Sequence, residues 1–374
     1  MAQNSQRYDL VEVGRSFQLP GQYRDGVPYG SGHINDTFAA TYDQGGRAVR
    51  YIHQRINDRI FRDVPALMEN IQRTTAHVRA RLRAEGVTDP RAALTLCPAA
   101  DGLPYARDPE GAYWRTYEFI EGARTYDVIE TERQAFEAAR AFGRFQDLLS
   151  DLTGPRLHET IPDFHHTPRR FARFEEVLAA DPCGRAADCR REIDLALGWK
   201  AEASRLLDLC AQGLMPERIT HNDTKLNNVM LDDQTGAGLC VIDLDTVMPG
   251  LSLYDFGDMV RTATNSGAED ERDLAKVTCR MPMFEALAKG YLGTARAFLT
   301  EAEVEQLSFA GRLLTLECGV RFLTDHLQGD TYFKIHRAGH NLDRCRTQFK
   351  LVADMRNLEP AMQRVVQLTM KEQA

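Results

Sequence analysis

No apolar run in this 374-residue chain approaches the roughly eighteen residues that a membrane-spanning helix needs, so no membrane partner is expected. The opening MAQNSQRYDL has no basic segment followed by an apolar one, so no secretory signal is expected. Eight cysteines occur, but none forms a C-x-x-C pair, and the nearest two, Cys183 and Cys189, are separated by five residues. They read as reduced, mostly buried thiols, so a cytoplasmic location is expected. Basic charge is scarce: 46 Lys and Arg stand against 54 Asp and Glu, a net charge of −8. A nucleic-acid partner is therefore not expected, because binding one requires a basic face. Repeats and low-complexity stretches are also missing. What is present is ample apolar material, 43% of residues, in a chain longer than one typical domain, which predicts two lobes.

DTFAATYDQGGRAVRYIHQR reads as two β-runs joined by a Gly-Gly turn. From Val64 to about Glu85, Leu67, Met68, Ile71, Val78 and Leu82 recur at helical spacing, and Pro65 suits a first turn. GAYWRTYEFIEG is rich in aromatic and β-branched residues, which predicts a strand stopping at Gly122. The lobe boundary is placed there, giving residues 1–121 and 122–374. Beyond it, RQAFEAARAFGRFQDLL, EIDLALGWKAEASRLLDLC and EVEQLSFAGRLLTLECGVRFLTDHL all carry helical periodicity, so the second lobe is expected to be mainly helical.

The chemistry concentrates in THNDTKLNNVMLDDQTGAGLCVIDLD, from Thr220 to Asp245. Two short apolar runs flank DDQTGAG, which predicts a hairpin. Symmetric pairing about the loop sets Val229 against Ile242 and Leu231 against Cys240, and so Asn228 against Asp243. An amide oxygen and a carboxylate together are hard oxygen ligands of the kind Mg²⁺ takes alongside phosphates and water. Asp223, five residues before Asn228, is free to meet an acceptor hydroxyl. Phosphoryl transfer needs this set: metal on the phosphates, a cation, and a carboxylate that takes the proton of the attacking hydroxyl. Asp, Asn and Gly are also ordinary turn residues, but their fixed order here matches the catalytic and metal loops of the protein-kinase fold.

ITHNDTKLNNVMLDD, VIDLDTVMPGLSLYDFGD and YGSGHINDTF together resemble the aminoglycoside phosphotransferase and choline kinase superfamily, and within it the N-acetylhexosamine 1-kinases, from about residue 28 to 350. The resemblance implies an α+β, two-lobed protein-kinase-like fold: a small antiparallel sheet plus helix for nucleotide, then a larger helical lobe for catalysis and acceptor. It also implies ATP and Mg²⁺, and phosphorylation of the anomeric hydroxyl of an N-acetylhexosamine (an amino sugar). On that likeness Asp223 is the base, Asn228 and Asp243 hold Mg²⁺, Asp245 is a second acid near the metal, and Lys225 is a cation near the transferred group. Asn222 stands where the family usually has Gly. The literal DFG at Asp255 follows no apolar strand, and related enzymes use that acid to brace the catalytic loop, so Asp255 is expected to be buried and hydrogen-bonded.

At the nucleotide end, Gly30, Ser31 and Gly32 precede a strand and either drape N–H groups over phosphate or form a tight turn; Asn35 replaces the third glycine of the kinase loop. Where kinases carry a phosphate-binding lysine this chain offers Gln54 and Arg55, on opposite faces of a strand. Arg55 is favoured as the cation, and Glu69 is its expected helix partner. Glu118 to Ile120 is the expected adenine hinge. At the acceptor end, Glu317, Arg321 and Asp325 share one helical face and either grip a sugar, with Tyr332 or Phe333 as aromatic wall, or form surface ion pairs. His33 is carried as an acceptor contact and, like His336 and His340, also reads as an ordinary satisfied histidine. Two rivals remain: a kinase for another hydroxyl (an aminoglycoside, choline or an amino alcohol), and a non-catalytic nucleotide-binding pseudokinase.

Overall fold

The computed structural model describes residues 8–30 and 34–372. The N-terminal part runs through α1 (Leu10–Arg15), β1 (Gln22–Pro28), β2 (Asp36–Gln44), β3 (Arg47–Arg55), α2 (Val64–Ala84), β4 (Leu96–Cys97), β5 (Ala106–Arg107) and β6 (Tyr113–Glu118). The strands form one antiparallel sheet in the order β1-β2-β3-β6-β4, with β5 added to β6. Gly45 and Gly46 make the two-residue turn of the β2/β3 hairpin, both with positive φ, which is the geometry such a turn requires. Asp43 tightens it by accepting the Gly46 N–H at 2.6 Å. The α2 helix starts at Asp63, whose carboxylate caps the Ala66 N–H, and buries Leu67, Met68 and Ile71.

After Gly122 the pairing changes sheets. β7 (Ala123–Arg124) is followed by α3 (Glu132–Leu149), α4 (Thr167–Ala180), α5 (Arg190–Trp199), α6 (Arg205–Ala211), β8 (Arg218–Thr220), β9 (Val229–Asp232), β10 (Gly238–Val241), β11 (Met248–Gly250), α7 (Ser252–Thr264), α8 (Met281–Ala295), α9 (Glu301–Glu305), α10 (Leu307–Gln328) and α11 (His340–Glu372). The helix expected over 192–210 is broken by a 3₁₀ turn at Lys200–Glu202, which separates α5 from α6. α10 is buried almost all round and packs on α4, α7 and α11, as a helix at the centre of a helical layer must be. Small sheets β10-β9-β7 and β11-β8 carry the polar loops between the sheet and this layer.

The 229–241 hairpin forms with a different register from the symmetric one. Val229 pairs with Val241, Met230 with Cys240 and Leu231 with Gly238, so Leu239 is an extra residue in a bulge. The cause is the neighbour. At Gly238 a Cβ would lie 2.7 Å from the Glu137 carbonyl oxygen of α3, and the Gly238 N–H is held by the Glu137 carboxylate at 3.0 Å. Asn228 is consequently opposite Ile242, whose N–H it accepts at 2.9 Å, and Asp243 lies one residue further on, with φ 60°.

Candidate active site

The loop after β8 is tied down almost atom by atom. Asp255, fully buried in the first turn of α7, accepts the His221 N–H at 2.9 Å and the Asn222 N–H at 2.7 Å, with the Gln146 amide at 2.6 Å. Asp258, one turn along, accepts the Thr224 N–H at 3.1 Å. These donors are how a buried carboxylate is accommodated. Asn222 has φ 66°, the left-handed region that Asn tolerates better than other side chains, which explains why it can stand where glycine is usual. Its amide is used as well, donating to the Thr246 carbonyl at 2.9 Å. His221 donates through Nε2 to the Ile242 carbonyl at 2.9 Å while Nδ1 accepts the Asp223 N–H at 3.3 Å, and its ring meets Phe142 edge-on.

This frame presents Asp223. Its Oδ1 is 2.7 Å from Lys225 Nζ, and the Asn228 amide nitrogen reaches both its Oδ2, at 3.1 Å, and its carbonyl, at 2.7 Å. Burial lowers the Lys225 pKa, but Asp223 and Asp258 outweigh it and hold the ammonium charged. With its nitrogen spent on Asp223, Asn228 keeps Oδ1 without a hydrogen bond among the described residues, and the Asp243 carboxylate likewise accepts none. Asp243 opens to the cleft, yet protein encloses it closely. That burial, followed by the charges of Asp245 and Asp223, raises its pKa to about 6. Two open hard oxygens in negative potential fit Mg²⁺. Among the described residues no group of three or more His, Cys, Asp or Glu side chains could hold a metal ion.

Asp245 must be reassigned. Its Oδ1 pairs with Arg115, and its Oδ2 accepts the Asn35 amide at 2.6 Å, so both oxygens have protein partners and the residue acts as a brace beside Asp243 rather than as an open ligand. Arg115, only 1% exposed on β6, also donates to Gln54 Oε1 at 2.9 Å. Burial alone would lower its pKa, but Asp245 raises it, so the group stays charged. Sequence reasoning missed Arg115, although a charged residue inside YWRTYE is the visible signal. Asn35 was seen only as a lost glycine. It donates to Asp245 and also accepts the Asn57 N–H at 2.9 Å.

The expected Arg55 cation is likewise corrected. In the ladder Gln54 faces Arg115 while Arg55 faces Trp114, so alternation turns Arg55 to the opposite side of the sheet, 5.5 Å from the Tyr8 ring. Glu69 does not reach it. Half-exposed, Glu69 pairs with His158 at 2.9 Å and Arg73 at 3.6 Å, and the buried link from α2 is its neighbour Asn70, which donates to the Val247 carbonyl at 3.1 Å. Gly30 has φ 79° with open space around it; Ser31, Gly32 and His33 lie outside the described residues. At the hinge the Glu118 N–H is taken by the Thr95 carbonyl at 3.0 Å, and the Phe119 N–H by Arg50 at 3.2 Å. The Ile120 N–H has no hydrogen-bond partner among the described residues.

Of the three residues on the α10 face, Glu317 and Asp325 are not free to hold an acceptor. Asp325 accepts the N–H groups of Thr331, Tyr332 and Phe333 at 2.8 to 2.9 Å and the Asn341 amide at 2.9 Å, which makes it the staple of that loop. Glu317, fully buried, accepts from Thr167 at 2.7 Å and from His165 Nδ1 at 2.9 Å. His165 Nε2 then donates to the Asn222 carbonyl at 2.9 Å. Arg321 is the one of the three left open, flanked by Tyr332, which is 72% exposed, and by Phe333. His340 is paired with Asp270 at 3.0 Å.

A sheet-plus-helix unit joined to a helical layer, with a braced H-N-D-T-K loop beside an open carboxylate, defines a kinase-like phosphotransferase. The chain belongs to the phosphotransferase enzyme family, which it matches over residues 25–292. Solved structures share the fold at low identity. A microcompartment-associated aminopropanol kinase is 18% identical, with 95% of this chain and 98% of that one covered and a TM-score of 0.56. An ethanolamine kinase from Plasmodium vivax is 15% identical, covering 86% and 80%, with a TM-score of 0.52. A spectinomycin phosphotransferase, in complex with ADP and spectinomycin, is 12% identical, covering 96% and 99%, with a TM-score of 0.52. Among the described residues no helix is long and apolar enough to cross a membrane.

Proposed function

We propose that the protein is an ATP- and Mg²⁺-dependent small-molecule kinase whose acceptor is the anomeric hydroxyl of an N-acetylhexosamine, with residues 1–121 binding nucleotide and 122–374 supplying catalysis and the acceptor site. The observation that carries the reading is the Asp223 carboxylate fixed between Lys225 and Asn228 beside the open Asp243. Asp223 orients the acceptor hydroxyl and takes its proton as the oxygen bonds to the γ-phosphorus and the bond to the β-phosphate oxygen breaks. Lys225 holds Asp223 in place and offsets the charge growing on the phosphoryl oxygens. Asn228 Oδ1 and Asp243 are the protein ligands for Mg²⁺, which when bound neutralises phosphate charge. Use of ATP is supported by the ADP bound to the spectinomycin enzyme. A second reading, an amino-alcohol or aminoglycoside kinase, draws on the same relatives, but a cationic acceptor would have to lie beside Arg321.

Transfer of labelled phosphate from ATP, with and without Mg²⁺, to N-acetylglucosamine, N-acetylgalactosamine, plain hexoses, choline and an aminoglycoside tests the proposal. Mg²⁺-dependent label on an N-acetylhexosamine, abolished by methylating the anomeric oxygen, is the expected result. Label on choline or the aminoglycoside alone would refute the acceptor, and ATP binding without any transfer would support the pseudokinase.

A further inference from the structure

Arg321 on α10 and Arg170 on α4 converge on Phe164: the Arg321 guanidinium carbon is 6.0 Å from its ring, and Arg170 donates to its carbonyl at 2.7 Å. Neither arginine pairs with an acid among the described residues, and Arg170 Nε is buried with no hydrogen-bond partner. Arg321 is otherwise ringed by Tyr332 at 5.9 Å and Phe333 at 5.5 Å. The nearby acids are engaged elsewhere, Glu317 by His165 and Thr167, and Asp163 by Arg169. Burial, then repulsion from Arg321, lowers the Arg170 pKa. Glu317, whose charge acts on both arginines, is linked through His165 to the carbonyl of Asn222, the residue preceding Asp223.

Two half-buried guanidinium groups with idle donors repel one another and have lost part of their hydration. A neutral hydroxyl satisfies donors but leaves the repulsion, an ammonium adds to it, and a carboxylate relieves both through forked hydrogen bonds. We infer that Arg170 and Arg321 form an anion subsite of the acceptor pocket, so that the preferred acceptor carries a carboxylate as well as the hydroxyl that is phosphorylated. The inference rests on the kinase reading above and narrows its acceptor to acidic N-acetylhexosamines.

Isosteric pairs that differ only in charge test it: N-acetylglucosaminuronic acid against its C6 amide, and 3-O-carboxymethyl N-acetylglucosamine against its amide. A charge-assisted contact predicts at least one acid favoured over its amide by about tenfold or more in kcat/KM. That advantage should shrink as salt rises and collapse in Arg170→Gln and Arg321→Gln. Equal use of acid and amide in both pairs by the unaltered enzyme overturns the inference without relying on any variant. Methyl glycosides of the same four sugars, whose anomeric oxygen is blocked, read the subsite by calorimetry. Tighter binding of an acid there, with no transfer to any free sugar, would keep the subsite and sink the 1-kinase reading. Transfer to neutral N-acetylglucosamine with no acid advantage would do the reverse.

Discussion

Arg115→Leu is the perturbation that tests most of the reasoning about the nucleotide side. The substitution removes the partner of Asp245 Oδ1 and leaves that buried carboxylate, 4% exposed, with the Asn35 amide alone. Orphaning one member of a buried pair costs about 3–5 kcal/mol, and the Gln54 hydrogen bond lost with it adds about 1 kcal/mol. Arg115→Leu combined with Asp245→Leu removes both charges, so it should fall within about 1–2 kcal/mol of the parent, giving a coupling of at least about 2 kcal/mol. Urea denaturation followed by fluorescence can read this, because the chain has two tryptophans and Trp114 adjoins the mutated residue. A Trp199→Phe background isolates its signal. The brace reading also requires Asp245→Asn to weaken Mg²⁺ binding far less than Asp243→Asn. A single mutant costing under about 1 kcal/mol, a double mutant costing the sum of the singles, or equal metal losses for the two asparagine variants would refute it.

Asp223→Asn should lower turnover by about 10²–10⁴-fold, the usual worth of a positioned general base, while ATP binding measured by calorimetry persists; retained turnover would mean that Asp223 is not the base. Because the Asp243 carboxyl has its pKa raised to about 6, protons compete with Mg²⁺ below that pH. Metal affinity should therefore fall by about tenfold per pH unit on acidification from there and stay flat above about pH 7, with the slope absent in Asp243→Asn. Both ring nitrogens of His165 face acceptors, the Glu317 carboxylate and the Asn222 carbonyl, so the ring must be an imidazolium. Burial alone would lower its pKa, but Glu317, with the Asn222 carbonyl and Asp258, outweighs burial and raises it above the unfolded value. Its stabilising contribution is then complete below about pH 6.5 and fades as pH rises through the raised folded value. His165→Asn should lose stability by about 3 kcal/mol at pH 6 and by less at high pH, and a deficit independent of pH would contradict the imidazolium.

Much of the fold was legible because its signals are local. The β2/β3 hairpin follows from Gly45-Gly46 between alternating runs, and α2 from periodic Leu67, Met68 and Ile71 after a capping Asp and a proline. The candidate catalytic loop stood out for a different reason: five polar side chains in fixed order before a buried strand have little structural use together. The hairpin register was not legible, since its bulge is imposed by the approach of Gly238 to α3, a contact between residues 101 positions apart in sequence. Glu317, Arg321 and Asp325 were read correctly as one face, but a face does not show which members are already satisfied. The hydrogen bonds that occupy Glu317 and Asp325 come from Thr167, His165 and the 331–333 backbone, and helical spacing contains none of that information.

The misplaced cation shows the same limit from the other side. Strand alternation was applied correctly to Gln54 and Arg55, but which face met the cleft could not be known without the neighbouring strand. Once β6 is laid against β3, Gln54 and Arg115 become cross-strand neighbours and the guanidinium comes from the next strand over. That choice has a chemical consequence. A flexible ammonium would leave the position of Asp245 loose, whereas the planar guanidinium fixes Asp245 and Gln54 at once. Asp245 in turn anchors Asn35, immediately before β2. Residues 34–36 are thus referenced to the same acidic turn that presents Asp243, and a side chain that first reads as a missing glycine ties the start of β2 to that turn.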